Sequence, residues 1–148
     1  MHRDVFTTSS EDETLELGRK FAGELQAGVP VLLIGNLGAG KTTLAKGIMQ
    51  GLDVADADEV SSPTYTLIHE YAKGGRKAYH IDLYRLDTPA QIATLGLDEI
   101  LEQNAIVLVE WGERFPGLWP QRRVEIRLIH ISENQRRIEV TGIEVKKP

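Results

Sequence analysis

The sequence predicts an α/β fold, on three observations. A short apolar run, Val31-Leu32-Leu33-Ile34, has the length and branching of a buried strand, and a glycine-rich turn and then a helical pattern follow it directly. A second run of the same kind, Ile106-Val107-Leu108-Val109, ends in an acid, Glu110. Elsewhere, segments of alternating polarity are joined by Gly-rich turns and read as antiparallel hairpins. Together these predict central parallel strands extended by antiparallel hairpins, with helices on both faces. The chain has 148 residues, enough for one domain with a real core, residues 1–148, and too few for a second.

Taken in order, Ser10 followed by Glu13 fits a capping box and opens a helix over about 10–27. Leu15, Phe21, Ala22 and Leu25 form its apolar face, and Gly28-Val29-Pro30 ends it. After the strand at 31–34, Leu44, Ala45, Ile48, Met49 and Leu52 recur at helical spacing, with Gly51 near the end. The acidic stretch 53–59 reads as a surface loop. Two runs, 64–71 and 77–84, flank the turn Lys73-Gly74-Gly75-Arg76 and predict a hairpin. Thr88-Pro89 is an N-cap followed by proline at the first helical position, so short helices are expected within 89–103. Residues 105–109 form the second buried strand, an aromatic- and proline-rich loop covers 112–120, and a last hairpin spans 123–131 and 136–145.

The chemistry concentrates at Gly35-Asn36-Leu37-Gly38-Ala39-Gly40-Lys41-Thr42, which fits G-x-x-x-x-G-K-[ST] at every fixed position. Such a match arises by chance in a chain of this length in roughly half a percent of cases, given ordinary residue usage. The strand before it and the helix after it are the context the motif requires. Glycines let the backbone curl so that successive N–H groups face a phosphate chain, and the new helix points its positive end at the same spot. Gly35, Gly38 and Gly40 are therefore the expected bends of a phosphate cradle. Lys41 brings a mobile charge for the outer phosphates, and the Thr42 hydroxyl suits Mg2+. The fold expected is that of a P-loop NTPase.

A P-loop needs a carboxylate from a neighbouring strand beside the metal, and Glu110 is the candidate for that place, with Glu where aspartate is usual; the alternative is a buried strand that simply ends in an acid. Asp82 is a second acid on a predicted strand; it either orients the attacking water or reaches Mg2+ through one, or else is an exposed strand residue. Thr64, after Ser61-Ser62-Pro63, is either a switch-type γ-phosphate sensor or simply the start of a strand. Neither N-K-x-D nor D-x-x-G occurs, which speaks against a Ras-type GTPase. Trp111, Phe115 and Trp119 in one loop suggest either a docking surface or a cap on the core. Arg85 and Arg114 are possible charge stabilisers.

Composition excludes several other chemistries. Without cysteine there are no disulfides, thiolate metal sites or cysteine nucleophiles, and His2, His69, His80 and His130 are not spaced as metal ligands. No apolar run reaches membrane-spanning length and the start lacks a signal-peptide pattern, so the cytoplasm is the expected location. A net charge of −5 argues against a protein that grips nucleic acid by itself. The charge is uneven: residues 1–110 hold 9 Lys and Arg against 17 Asp and Glu, and residues 111–148 hold 8 against 5. The basic end reads either as a solvated strand face or as a surface for an acidic partner or RNA.

Five strings in this order and spacing resemble one family: GNLGAGKTT (35–43), SSPTYTL (61–67), HIDLYRL (80–86), GLDE (96–99) and VLVEWGE (107–113). The chain closely resembles the bacterial TsaE (formerly YjeE) family, small P-loop ATPases required for the threonylcarbamoyladenosine (t6A) modification of tRNA at position 37. The resemblance implies ATP and Mg2+ as ligands, phosphates on Gly38–Thr43, and Mg2+ held by Thr42 and Glu110. It implies that Asp82 is needed for activity, that Thr64 is the switch-like threonine, and that Trp111 is the tryptophan following the strand-end acid. The segment Ser9–Thr14, which includes Ser10, looks like the family's adenine-side contact. The implied partners are TsaD and TsaB, with tRNA reached through that complex, and hydrolysis would be slow alone and faster in the complex. The rival expectations are a nucleotide-dependent binding module that needs no hydrolysis and a small-molecule kinase.

Overall fold

The computed structural model describes residues 2–63 and 67–145. Among the described residues, seven strands form one sheet in the order β1-β7-β6-β2-β5-β4-β3. The strands are β1 (Arg3–Thr8), β2 (Val31–Ile34), β3 (Ile68–Lys73), β4 (Arg76–Asp82), β5 (Ile106–Glu110), β6 (Val124–His130) and β7 (Arg136–Thr141). The inner four, β6, β2, β5 and β4, run parallel, and antiparallel partners extend them on both sides. This is the α/β arrangement that the sequence predicts, and all four residues of β2 are buried at its centre.

Helices cover both faces. Helix α1 (Glu11–Ala22) and helix α2 (Lys41–Gly51) pack on one side, where Phe21, Leu44, Ile48 and Met49 meet Leu33, Leu108 and Ile126. Helices α3 (Pro89–Ala93) and α4 (Leu97–Leu101) cover the other, where Ile92 and Ile100 meet Leu32, Ile81 and Val109. Alternation along each strand divides the core in two, because successive side chains point to opposite faces.

Local chemistry accounts for most boundaries. The Ser10 hydroxyl accepts from the Glu13 N–H at 3.1 Å, and the Glu13 carboxylate accepts from the Ser9 N–H at 3.0 Å. Acids crowd the first turn of α1 and bases its last, as the helix dipole favours. The helix ends at Ala22, short of the predicted 27, because the chain turns at Gly23 and must climb back to β2. Thr88 caps α3 in a capping box with Gln91, and Pro89 follows it. Gly74 and Gly75 hold positive φ in the β3–β4 turn, as a tight hairpin demands.

Two departures from the sequence reading matter, and one choice that it leaves open is decided. Strand β1 is not anticipated: RDVFTT has only two apolar residues, adjacent and not alternating, and its partner β7 lies at the far end of the sequence. Its Phe6 ring meets Phe21 edge-on at 5.5 Å. Residues 64–66 of the first predicted hairpin run lie outside the described residues; β3 starts at Ile68, after Leu67 at φ 69, and β7 stops at Thr141, where Gly142 takes φ 95. Of the loop aromatics, Phe115 and Trp119 cap the core and do not form a docking surface; the Trp119 indole N–H donates to the Gly112 carbonyl at 2.7 Å. No helix among the described residues is long and apolar enough to cross a membrane.

Candidate functional site

The chain leaves β2 through a turn that only a missing side chain permits. A Cβ on Gly35 would lie 2.7 Å from the Leu128 carbonyl of the adjacent strand. The loop then takes left-handed φ at Gly38 (79) and Gly40 (102), and α2 starts with no side-chain cap. Its first N–H groups are thus left for an outside acceptor. These residues open onto a cavity of about 870 Å³ beyond the carboxyl ends of β2, β4 and β5. Strand order reverses there, since connections from β2 run toward β4 while the one from β5 returns to β6, and this is where α/β sheets hold ligands.

Gly38, Gly40, Lys41, Thr42 and Thr43 line the cavity, together with Ser10, Asp82 and Glu110. Ala39 does not: its side chain is buried in the core, so its contribution to the loop is its backbone. Thr64 lies outside the described residues. Ser10 stands at the rim, where its oxygen already caps α1. Arg114 is turned away, donating to the Tyr84 carbonyl and pairing with Asp87, and neither it nor Arg85 lines the cavity.

The two acids sit side by side. Asp82 and Glu110 are register partners at the ends of parallel strands β4 and β5, and both are buried. Asp82 is therefore not an exposed strand residue; one of its oxygens accepts from the Tyr84 N–H at 2.8 Å. Glu110 is held by His80, fully buried two residues before Asp82, whose Nε2 lies 2.5 Å from a Glu110 oxygen. The other ring nitrogen, Nδ1, is buried without a protein partner. A bare acceptor costs less there than an unsatisfied N–H, so the ring proton belongs on Nε2, donated to Glu110.

Lys41 is almost fully buried. Its ammonium donates to the Gly35 carbonyl at 2.7 Å and stands 3.8 Å from the centre of the Trp111 ring. Burial lowers its pKa from the usual lysine value, opposed by the charges of Glu110, Glu113 and Asp82. Trp111 holds φ 65, a strained backbone for a bulky residue, and its ring also meets Tyr84 at 5.0 Å.

Two residues at this site escape sequence reasoning, His80 and Arg136. His80 reads as one of four scattered histidines, and the only signal is its place two before Asp82 on the same strand face. Arg136 opens β7 and reaches the loop of residues 35–40 from 97 residues away, donating through Nε to the Ala39 carbonyl at 3.1 Å.

The family profile described as "Threonylcarbamoyl adenosine biosynthesis protein TsaE" matches residues 8–138. Among similar proteins, the tRNA threonylcarbamoyladenosine biosynthesis protein TsaE of Nostoc sp. is 40% identical over 137 residues, covering 90% of this chain and 82% of that protein. The protein of the same description from Haemophilus influenzae is 37% identical over 135 residues, covering 88% and 84%. The crystal structure of YdiB from Bacillus subtilis superposes with a TM-score of 0.77 at 31% identity, over 97% of this chain and 87% of that one. A P-loop at a strand-order reversal, with two buried acids beside it and this match along nearly the whole chain, places the protein in the TsaE family.

Proposed function

We propose that this chain is a Mg2+-dependent ATPase that serves the t6A modification of tRNA together with the TsaB–TsaD pair. The observation that carries the reading is one cavity joining the P-loop, the uncapped start of α2, Lys41, Thr42 and the buried pair Asp82 and Glu110. Its similarity to relatives described as t6A biosynthesis proteins supplies the pathway.

The donor set fits a divalent cation. Among the described residues, five carboxylates line the cavity (Glu11, Asp12, Asp82, Glu110 and Glu133) against two cations, Lys41 and Arg136. A polyphosphate entering such a lining needs further positive charge. No cluster of three or more metal-binding side chains occurs among the described residues, which suits Mg2+, an ion bound mainly through phosphates, water and one or two protein oxygens. Thr42 and Glu110 would hold it, with Glu110 aimed by His80. When bound, Mg2+ neutralises charge on the phosphate oxygens.

The protein groups do the rest. The Gly40 N–H and the first turn of α2 donate to phosphate oxygens, and Lys41 exchanges its bond to the Gly35 carbonyl for the outer phosphates. Asp82 orients water for attack on the terminal phosphorus, and ADP and phosphate leave. Arg136 is already engaged with backbone carbonyls, so the lining holds no arginine placed to stabilise the transition state. Turnover is therefore slow alone and rises when partners dock.

The test is phosphate release from ATP and Mg2+, alone and with TsaB–TsaD. Stimulation by the pair, lost at least ~100-fold in Lys41→Ala, is expected. Equal rates with and without the pair would sink partner gating. If Asp82→Asn supports t6A formation while hydrolysing nothing, the protein is a binding module, and phosphate appearing on an acceptor would make it a kinase.

A further inference from the structure

We propose that Arg136 is a positioning residue for the phosphate-binding loop, a clasp that sets the Ala39–Gly40 peptide from outside and fixes one wall of the cavity. The proposal rests on the nucleotide-binding reading of the site. Its guanidinium bonds five backbone carbonyls in two separate groups. Toward the loop, Nε donates to Ala39 at 3.1 Å and Nη2 to Gly38 at 3.3 Å. Toward the β6–β7 turn, Nη1 donates to Ser132 at 3.0 Å, Glu133 at 3.2 Å and Gln135 at 3.0 Å.

Peptide planarity turns those bonds into control of the amides. A trans peptide points its N–H opposite its carbonyl, so whatever holds the oxygen aims the hydrogen. The Gly38–Ala39 peptide is held at both edges, since its N–H donates to the Asn36 carbonyl at 3.0 Å while Arg136 takes its oxygen. The next peptide is held at its oxygen alone. Its N–H, on Gly40, points away from Arg136 and has no acceptor among the described residues. Gly38 and Gly40 flank this segment in left-handed conformations that glycine leaves as readily as it enters, so the loop does not hold its own shape.

The chemistry selects arginine. Four of the five N–H donors are used by these carbonyls, which leaves little of the group for a phosphate. A lysine carries the same charge but has no planar fork to span two carbonyl groups at once. The same bonds tie down residues 132–135, so Glu133 and Asn134 line the cavity through Arg136.

The experiment compares wild type, Arg136→Lys and Arg136→Gln as full chains by ADP calorimetry, thermal melting and ligand-free amide exchange. Both variants are expected to melt within a few degrees of wild type, to lose about tenfold or more in ADP affinity, and to exchange faster at Ala39, whose N–H is the bonded amide of the loop. If Arg136→Lys keeps wild-type affinity and exchange while Arg136→Gln loses affinity, charge alone matters and the clasp is wrong. Unchanged exchange in both variants also overturns it. If wild type binds no ADP while both variants still loosen the loop, the nucleotide reading falls and the clasp stands.

Discussion

Lys41 carries an ammonium into a site where little water reaches it, and the protein bears a cost for that. Its pKa is lowered by burial, so the unfolded chain keeps this proton to higher pH than the folded one. Between the two values the unfolded state binds more protons, and stability there rises with pH; below the folded value the full cost is present. Lys41→Met is therefore expected to melt a few degrees above wild type at neutral pH, with the difference shrinking as pH climbs toward 10.5. Thermal melts across that range check it, and a Lys41→Met protein less stable at neutral pH would show that Glu110, Asp82 and the Trp111 face outweigh desolvation. Lys41, Thr42 and Glu110 are legible in the sequence as members of one site, because each belongs to a local string, the glycine-rich loop or a strand ending in an acid, and all three line the cavity. His80 and Arg136 are not, since their partners lie 30 and 97 residues away and nothing beside them in sequence announces those contacts.

At the scale of elements, the loop depends on how closely α1 approaches α2. A Cβ on Gly47 would meet the Leu15 carbonyl at 2.1 Å, and one on Gly18 the Leu44 carbonyl at 2.5 Å. Backbone against backbone has no side chain to give way. Gly47→Ala would gain about 1 kcal/mol of helix propensity and lose more to overpacking, about 2 kcal/mol net or more. Gly23→Ala is the matched contrast: its nearest neighbour is 3.9 Å away and its φ is −69, so it should be neutral or slightly stabilising. Denaturant midpoints distinguish the two, and a stable Gly47→Ala would mean the helices are free to slide apart. The helices and inner strands were readable because periodicity and capping are local signals. Strand β1 was not, because a six-residue edge strand is stabilised by its partner and by Phe21 more than by its own pattern. The Trp119 side was open in sequence for a related reason: an aromatic loop looks the same whether its rings face solvent or core.

Over the whole molecule, the cavity gathers segments from across the chain: Ser9–Thr14 at the start of α1, the loop of residues 35–40, the ends of β4 and β5, and the β6–β7 turn. A ligand that touches all of them should protect all of them. Amide exchange with and without ADP is expected to slow in residues 9–14 and 132–135 as well as in the phosphate loop; protection confined to residues 36–43 would mean the outer walls take no part. The first four of these segments are joined as a set in the sequence reading only through the family resemblance, and the β6–β7 turn is not, since its place beside the loop follows from strand order and no motif encodes strand order. The arrangement also has an optical consequence. The chain contains two tryptophans, and the fold sends them to opposite environments. Trp119 is sealed in the core with its indole N–H bonded to a carbonyl, whereas Trp111 lies against the ammonium of Lys41 at the cavity. In a Trp119→Phe background, the remaining emission would come from one ring beside one moving charge, and the departure of Lys41 from that ring would be visible as light.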